Sequence, residues 1–125
     1  MKFLGIDFGE KNIGLAIAED FLVEPAGVVK SARAVQKICQ EQTIEKIIIG
    51  ISEGKMAKKT HNFGSQLASL TGLSIEYQDE TLTSEEAKKL MVKIGKPKKK
   101  RQKQGDAVAA ALILKAYLDQ QKLVT

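Results

Sequence analysis

The chain has one cysteine, one histidine, two prolines and no tryptophan among its 125 residues. A lone cysteine, Cys39, excludes an internal disulfide framework and fits a reducing cytoplasm. His61 has no second histidine and no neighbouring cysteine, which argues against a zinc site. Six aromatic residues, four Phe and two Tyr, are too few for a base-stacking platform. No apolar run reaches the length of a membrane span. The opening "MKFLGIDFGE" has an acid at position 7 and lacks a secretory layout, so the expected location is the cytoplasm.

What is present is a globular composition with 43% hydrophobic and 28% charged residues. This length suits one domain with its own core, spanning residues 1–125. Lysine and arginine total 20, against 15 acids. Six of those cations lie in the acid-free stretch 96–103: Lys96, Lys98, Lys99, Lys100, Arg101 and Lys103. Without it the balance is 14 against 15, so the basic character belongs to one place. A solvated loop accounts for such a run, and so does a clamp for a phosphate-bearing partner. Pro97 discourages helix at its start, and Gly95 and Gly105 flank it, so an extended loop is expected.

Periodicity supplies the elements. "KFLGIDF" (Lys2–Phe8) reads as a strand, "GEKN" (Gly9–Asn12) as a hairpin turn and "IGLAIAE" (Ile13–Glu19) as the return strand. On that return strand Gly14, Ala16 and Ala18 put small residues on one face. "EPAGVVK" (Glu24–Lys30) reads as a turn and a short third strand. Helix follows from Ser31, a natural N-cap, to Gln42, with Val35, Ile38 and Cys39 on its apolar stripe. "IEKIIIGIS" (Ile44–Ser52) suits a strand covered on both faces. A second helix is expected over Thr60–Gly72, a strand over Leu73–Gln78, and a third helix opened by the capping box Thr83…Glu86. The last helix is expected over Asp106–Lys122, with Asp106 as N-cap. A meander followed by βαβ units gives an α/β fold with one mixed five-stranded sheet and helices on both faces.

Carboxylates stand in unusual places at three points of the chain. Asp7 sits between Ile6 and Phe8 near the end of the first strand, where it either bonds the hairpin backbone or holds a metal. Asp79 and Glu80 end the last strand, as a solvated pair or as part of a site. Asp106, taken alone, is an N-cap. Ligands of open α/β sheets gather at the carboxyl ends of strands, which is where Asp7 and Glu80 fall. Three carboxylates in one place repel unless a divalent cation neutralises them. Mg²⁺ accepts one or two carboxylates plus phosphate oxygens, and a pair of ions clamps the attacking and leaving oxygens of a phosphodiester.

Four blocks in order, "LGIDFGEKNIGLAIAE", "IIIGISEG", "QDETLTSEEA" and "GDAVAAALILKAYL", resemble the YqgF/RuvX family over nearly the whole chain. The resemblance implies an RNase H-like fold and a nuclease, described in that family as a Holliday junction resolvase or as a processor of pre-16S rRNA. It implies an acidic site of Asp7, Glu80 and Asp106 holding Mg²⁺ or Mn²⁺, two ions in number. It implies a nucleic-acid partner, an RNA precursor or branched DNA, held by Lys11, Lys98, Lys99, Lys100, Arg101 and Lys103, with the chain acting as monomer or homodimer. Processing of the pre-16S rRNA 5′ end is the leading expectation. Junction resolution and a non-cleaving nucleic-acid-binding protein are the alternatives. The chain departs from the family pattern at Thr81 and at Lys11-Asn12, where arginine is usual, and at Ile51-Ser52, where Leu-Pro is usual. Lysine does not replace a bidentate arginine, so the departures bear on substrate positioning and leave the acids intact. The hairpin also resembles that of actin-like and sugar kinases, but that class needs two such domains around ATP, which 125 residues cannot supply.

Overall fold

The computed structural model describes residues 1–52, 54–79 and 98–124. Strands β1 (Lys2–Phe8), β2 (Ile13–Glu19) and β3 (Leu22–Val29) form an antiparallel meander. Strand β4 (Lys46–Ile51) lies parallel to β1, and β5 (Ser74–Asp79) parallel to β4, giving the sheet order β3-β2-β1-β4-β5. This is the mixed five-stranded sheet expected from the alternation of patterns. Helices α1 (Ala32–Gln42) and α2 (Lys55–Thr71) cover one face, and α3 (Lys98–Val124) covers the other.

Local chemistry explains most of the boundaries. Gly9 N–H donates to the Asn12 carbonyl at 3.0 Å and closes the first hairpin. Ser31 caps α1, its hydroxyl accepting from Ala34 N–H at 3.1 Å. Gly72 ends α2 in the left-handed region (φ 70°), where a side chain would be strained. Strand β3 starts at Leu22, earlier than expected, and runs through Pro25. Proline is tolerated because β3 is an edge strand, and the register shifts beside it between Leu15 and Ala16. Helix α2 starts at Lys55 rather than Thr60. Its first five residues offer only Met56 and Ala57 among three lysines, so the apolar stripe was plain only from Phe63 onward.

The sheet separates two cores. Leu4, Ile6, Leu15, Ile47 and Ile49 face α1 and α2, meeting Val35, Phe63 and Leu67. Ala16, Ala18 and Ile48 face α3, meeting Ala110, Ile113, Leu114 and Tyr117. Small residues on the second face let α3 lie close. A Cβ added at Gly5 would stand 2.8 Å from Leu114 Cβ and 2.9 Å from the Ala110 carbonyl oxygen.

One expectation is corrected. The basic stretch is not an extended loop where it is described: residues 98–103 are already helical, in the first turns of α3. Asp106 is therefore not the N-cap but lies beyond two helical turns. Lys, Arg and Gln are good helix formers, and Gly105 costs only about 1 kcal/mol inside a helix whose following turns are packed. Lys96, Pro97, Glu80 and the third expected helix lie outside the described residues.

Candidate active site

Strand alternation puts Phe3, Gly5 and Asp7 on the face of β1 that receives α3. Asp7 is half-buried at the carboxyl end of β1 and pairs directly across from Gly14 on β2. Gly14 is where α3 arrives. A Cβ built there would overlap the Asp106 carbonyl oxygen at 2.0 Å and come 2.8 Å from Asp106 Cβ. Directly opposed residues of an antiparallel pair hold their Cβ positions about 5 Å apart, so the Asp7 and Asp106 Cβ atoms lie within about 8 Å of each other. Residues 99 positions apart in sequence thus become neighbours because one cross-strand partner has no side chain.

Asp106 is partly buried, and desolvation raises its carboxyl above the ordinary value of 3.8. A carboxylate in that state gains from any nearby positive charge, whether proton or metal. The donor set fits a hard divalent cation: two carboxylates come from separate rigid elements at the carboxyl edge of the sheet. Among the described residues no three His, Cys, Asp or Glu side chains form a cluster able to hold an ion. The third expected acid, Glu80, lies outside the described residues, directly after Asp79, which ends β5.

Periodicity did not single out Gln78. Ile48 belongs to the core under α3, and register pairs Ile48 with Glu76 and Gly50 with Gln78. Gln78 therefore faces the α3 side, like Asp7. Ile6 pairs with Ile49, so Asp7, Gly50 and Gln78 stand at one level on three adjacent parallel strands. Gln78 is only 5% exposed. The available signal was a polar residue at an inward-facing strand position, immediately before two acids.

The basic residues divide. Residues 98–103 begin within about 12 Å of Asp106 along the helix axis, at 1.5 Å per residue. Lys11 is exposed at the hairpin tip. Its neighbour Glu10 pairs with Lys59 of α2, and the hydrogen bond and charge of Lys59, with Lys11 adding, hold the Glu10 carboxyl below its ordinary range. Beside this pair, on the α1–α2 face, lies a cleft of about 420 Å³ lined by Phe8, Lys30, Ser31, Asn62 and Gln66. Its floor includes Phe8 stacked on Phe63 with centroids 4.4 Å apart.

The remaining singled-out residues are structural. Cys39 is buried, and burial pushes its thiol up to about 11. The His61 ring packs on Tyr77, with centroids 4.4 Å apart. Tyr77 faces α2, where its hydroxyl fills the space over Gly64, on the opposite side of the sheet from Asp7. Among the described residues no helix is long and apolar enough to cross a membrane.

Comparison with known proteins fits this arrangement. A relative from Agathobacter rectalis named "Putative pre-16S rRNA nuclease" is 32% identical, covering 95% of each chain. One of the same name from Caldanaerobacter subterraneus is 30% identical, covering 98% of this chain and 99% of the relative. Among solved structures, Thermus thermophilus RuvC in complex with a Holliday junction substrate superposes with a TM-score of 0.65 at 16% identity, covering 97% and 96% of the two chains. Fowlpox virus resolvase, solved with Holliday junction DNA, superposes with a TM-score of 0.66 at 15% identity, covering 97% and 99%. These two similarities establish an RNase H-like, RuvC-type fold. A family model described as "RuvX: Holliday junction resolvase" matches residues 1–120, a span that holds all four sequence blocks, and the chain belongs to that RuvX family.

Proposed function

We propose that this chain is a metal-dependent nuclease, a single domain over residues 1–125 that hydrolyses nucleic-acid phosphodiesters in the cytoplasm, with the 5′ end of pre-16S rRNA as substrate. The observation that carries the reading is the seating of Asp106 on Gly14, directly opposite Asp7. A fold has little reason to bring two carboxylates to one sheet edge, one of them disfavoured by desolvation, unless a cation is shared there. Asp7, Glu80 and Asp106 would hold Mg²⁺ or Mn²⁺. When bound, the ions supply charge neutralisation at the phosphoryl oxygens and a more acidic water.

The chain's own groups do the rest. Asp7 is fixed by a strand paired on both sides, which holds its carboxylate in place without a loop's freedom. Lys98, Lys99, Lys100, Arg101 and Lys103 precede Asp106 on one helix, where they neutralise substrate phosphates that the acids would otherwise repel. Lys11, at the tip of the β1–β2 hairpin that follows Asp7, extends this surface. The relatives' name supports rRNA as substrate. The family description favours a second reading, resolution of four-way DNA junctions.

The test is cleavage of a labelled pre-16S rRNA fragment and a synthetic four-way junction side by side, each with Mg²⁺ and with Mn²⁺. Cutting of the rRNA at its mature 5′ end, abolished in Asp7→Asn, is the expected result. Cutting of the junction alone would shift the substrate to branched DNA. Binding without cleavage of either would make this a nucleic-acid-binding member of the fold.

A further inference from the structure

Gln78 and Thr60 are the two buried polar side chains among the described residues, at 5% and 4% exposure. Thr60 is explained, because its hydroxyl donates to the Met56 carbonyl at 2.8 Å within α2. The Gln78 amide makes no hydrogen bond with any described residue, although it brings two donor hydrogens and an acceptor oxygen into the interior. Such a group costs stability, and an apolar residue of the same size would serve packing better. Its position suggests what it is for. It shares the α3 face with Asp7, at the same level of the sheet, with only the side-chain-free Gly50 between them. Two strand spacings separate Asp7 and Gln78, about 10 Å, and both stand at the carboxyl edge where the substrate is read to bind.

We propose that Gln78 is a substrate-contacting residue of the site, its Nε2 donating a hydrogen bond to a non-bridging oxygen of the scissile phosphate. The proposal rests on the nuclease reading above and extends it to a residue outside the acidic set. The chemistry favours the donor role. Asp7 and Asp106 offer only acceptors when ionised, and phosphate oxygens are acceptors as well. An amide supplies the missing donor with no charge of its own, so it neither competes with the cation for the acids nor titrates near neutral pH. Its benefit is largest where negative charge accumulates during attack on phosphorus, so it acts on rate more than on affinity.

Two substitutions test this. Gln78→Met keeps length and volume and removes the donor. Gln78→Glu keeps shape, removes the donor and adds charge. Thermal unfolding, nucleic-acid affinity in Ca²⁺ and single-turnover cleavage at saturating substrate in Mn²⁺ are measured for each. For Gln78→Met the expected result is an unchanged or higher melting temperature, affinity within a few-fold of wild type, and a cleavage rate lower by about 10-fold or more. Gln78→Glu should lose at least as much rate. Cleavage by Gln78→Met at the wild-type rate overturns the proposal. So does a rate loss accompanied by a lower melting temperature and an equal loss of affinity, which would make Gln78 a packing residue only. In both cases a wild type that cleaves leaves the nuclease reading standing. A wild type that cleaves with neither Mg²⁺ nor Mn²⁺ overturns that reading first, and the role of Gln78 falls with it.

Discussion

At the scale of single residues, this chain relies on what some positions omit. Gly14 has no Cβ, and that lets the Asp106 backbone rest on β2 opposite Asp7. Gly14→Ala is therefore expected to destabilise the fold by roughly 2–3 kcal/mol, because the methyl meets backbone that cannot rotate away. Where the variant folds, it should cleave poorly as Asp106 is pushed outward. Denaturant unfolding and cleavage assays check both, and wild-type values in either would show that α3 shifts freely. Asp7→Asn should keep fold and nucleic-acid binding while losing cleavage; wild-type turnover would refute the metal-site reading. Cys39 gives a pH signature. Its folded thiol ionises near 11 and the exposed thiol near 9.0. Its contribution is intact below pH 9.0, and stability falls as pH rises from 9.0 towards 11, where only the unfolded chain ionises. Cys39→Ala should lack that component of the alkaline decline, measurable by urea unfolding across the same window.

At the scale of elements, α3 combines two functions in one rod. Its later turns bury Ala110, Ile113, Leu114 and Tyr117 against the small face of β2 and β1. Its first turns hold cations, an unfavourable end for positive charge given the helix dipole. That arrangement makes sense if phosphates bind there. Replacing Lys98, Lys99, Lys100 and Arg101 with Ser should weaken nucleic-acid binding and flatten the log–log salt dependence by up to about 3 to 4. Saturated single-turnover cleavage should fall less than affinity. An unchanged salt slope would return the stretch to a solvated helix end. Ordinary capping economics apply to α1, whose Ser31 cap should be worth about 1 kcal/mol by Ser31→Ala.

At the scale of the whole molecule, the proposed metal site would couple folding to metal. A cation bound only by the folded state stabilises it by mass action, about 2.7 kcal/mol at a hundredfold excess over Kd. Mn²⁺ should raise the melting temperature of wild type by several degrees and that of Asp7→Asn or Asp106→Asn much less. Equal shifts in all three would indicate ion effects unrelated to this site. The same experiment bears on the partial burial of Asp106, since relief of its desolvated charge would be part of what a bound metal supplies.

Sequence alone determined most of the described elements and the family. Alternation in β1 and β2, the apolar run of β4, the Ser31 cap and the Gly72 stop are local signals, readable within a few residues. Asp7 was conspicuous for the same reason, an acid inside an apolar strand, whereas Asp106 passed locally for an N-cap and stood out only through the family resemblance. Tertiary structure decided what those residues meet. That Asp106 lies on Gly14 depends on the angle at which α3 crosses the sheet, which no window of sequence contains. Nor does a window show that residues 98–103 join that helix, because their charges read as loop until the packed turns after Asp106 carry the helix back through them. Gln78 is the clearest case. A glutamine in a strand looks like a surface residue, and only the register of β1, β4 and β5 places it, buried, level with Asp7.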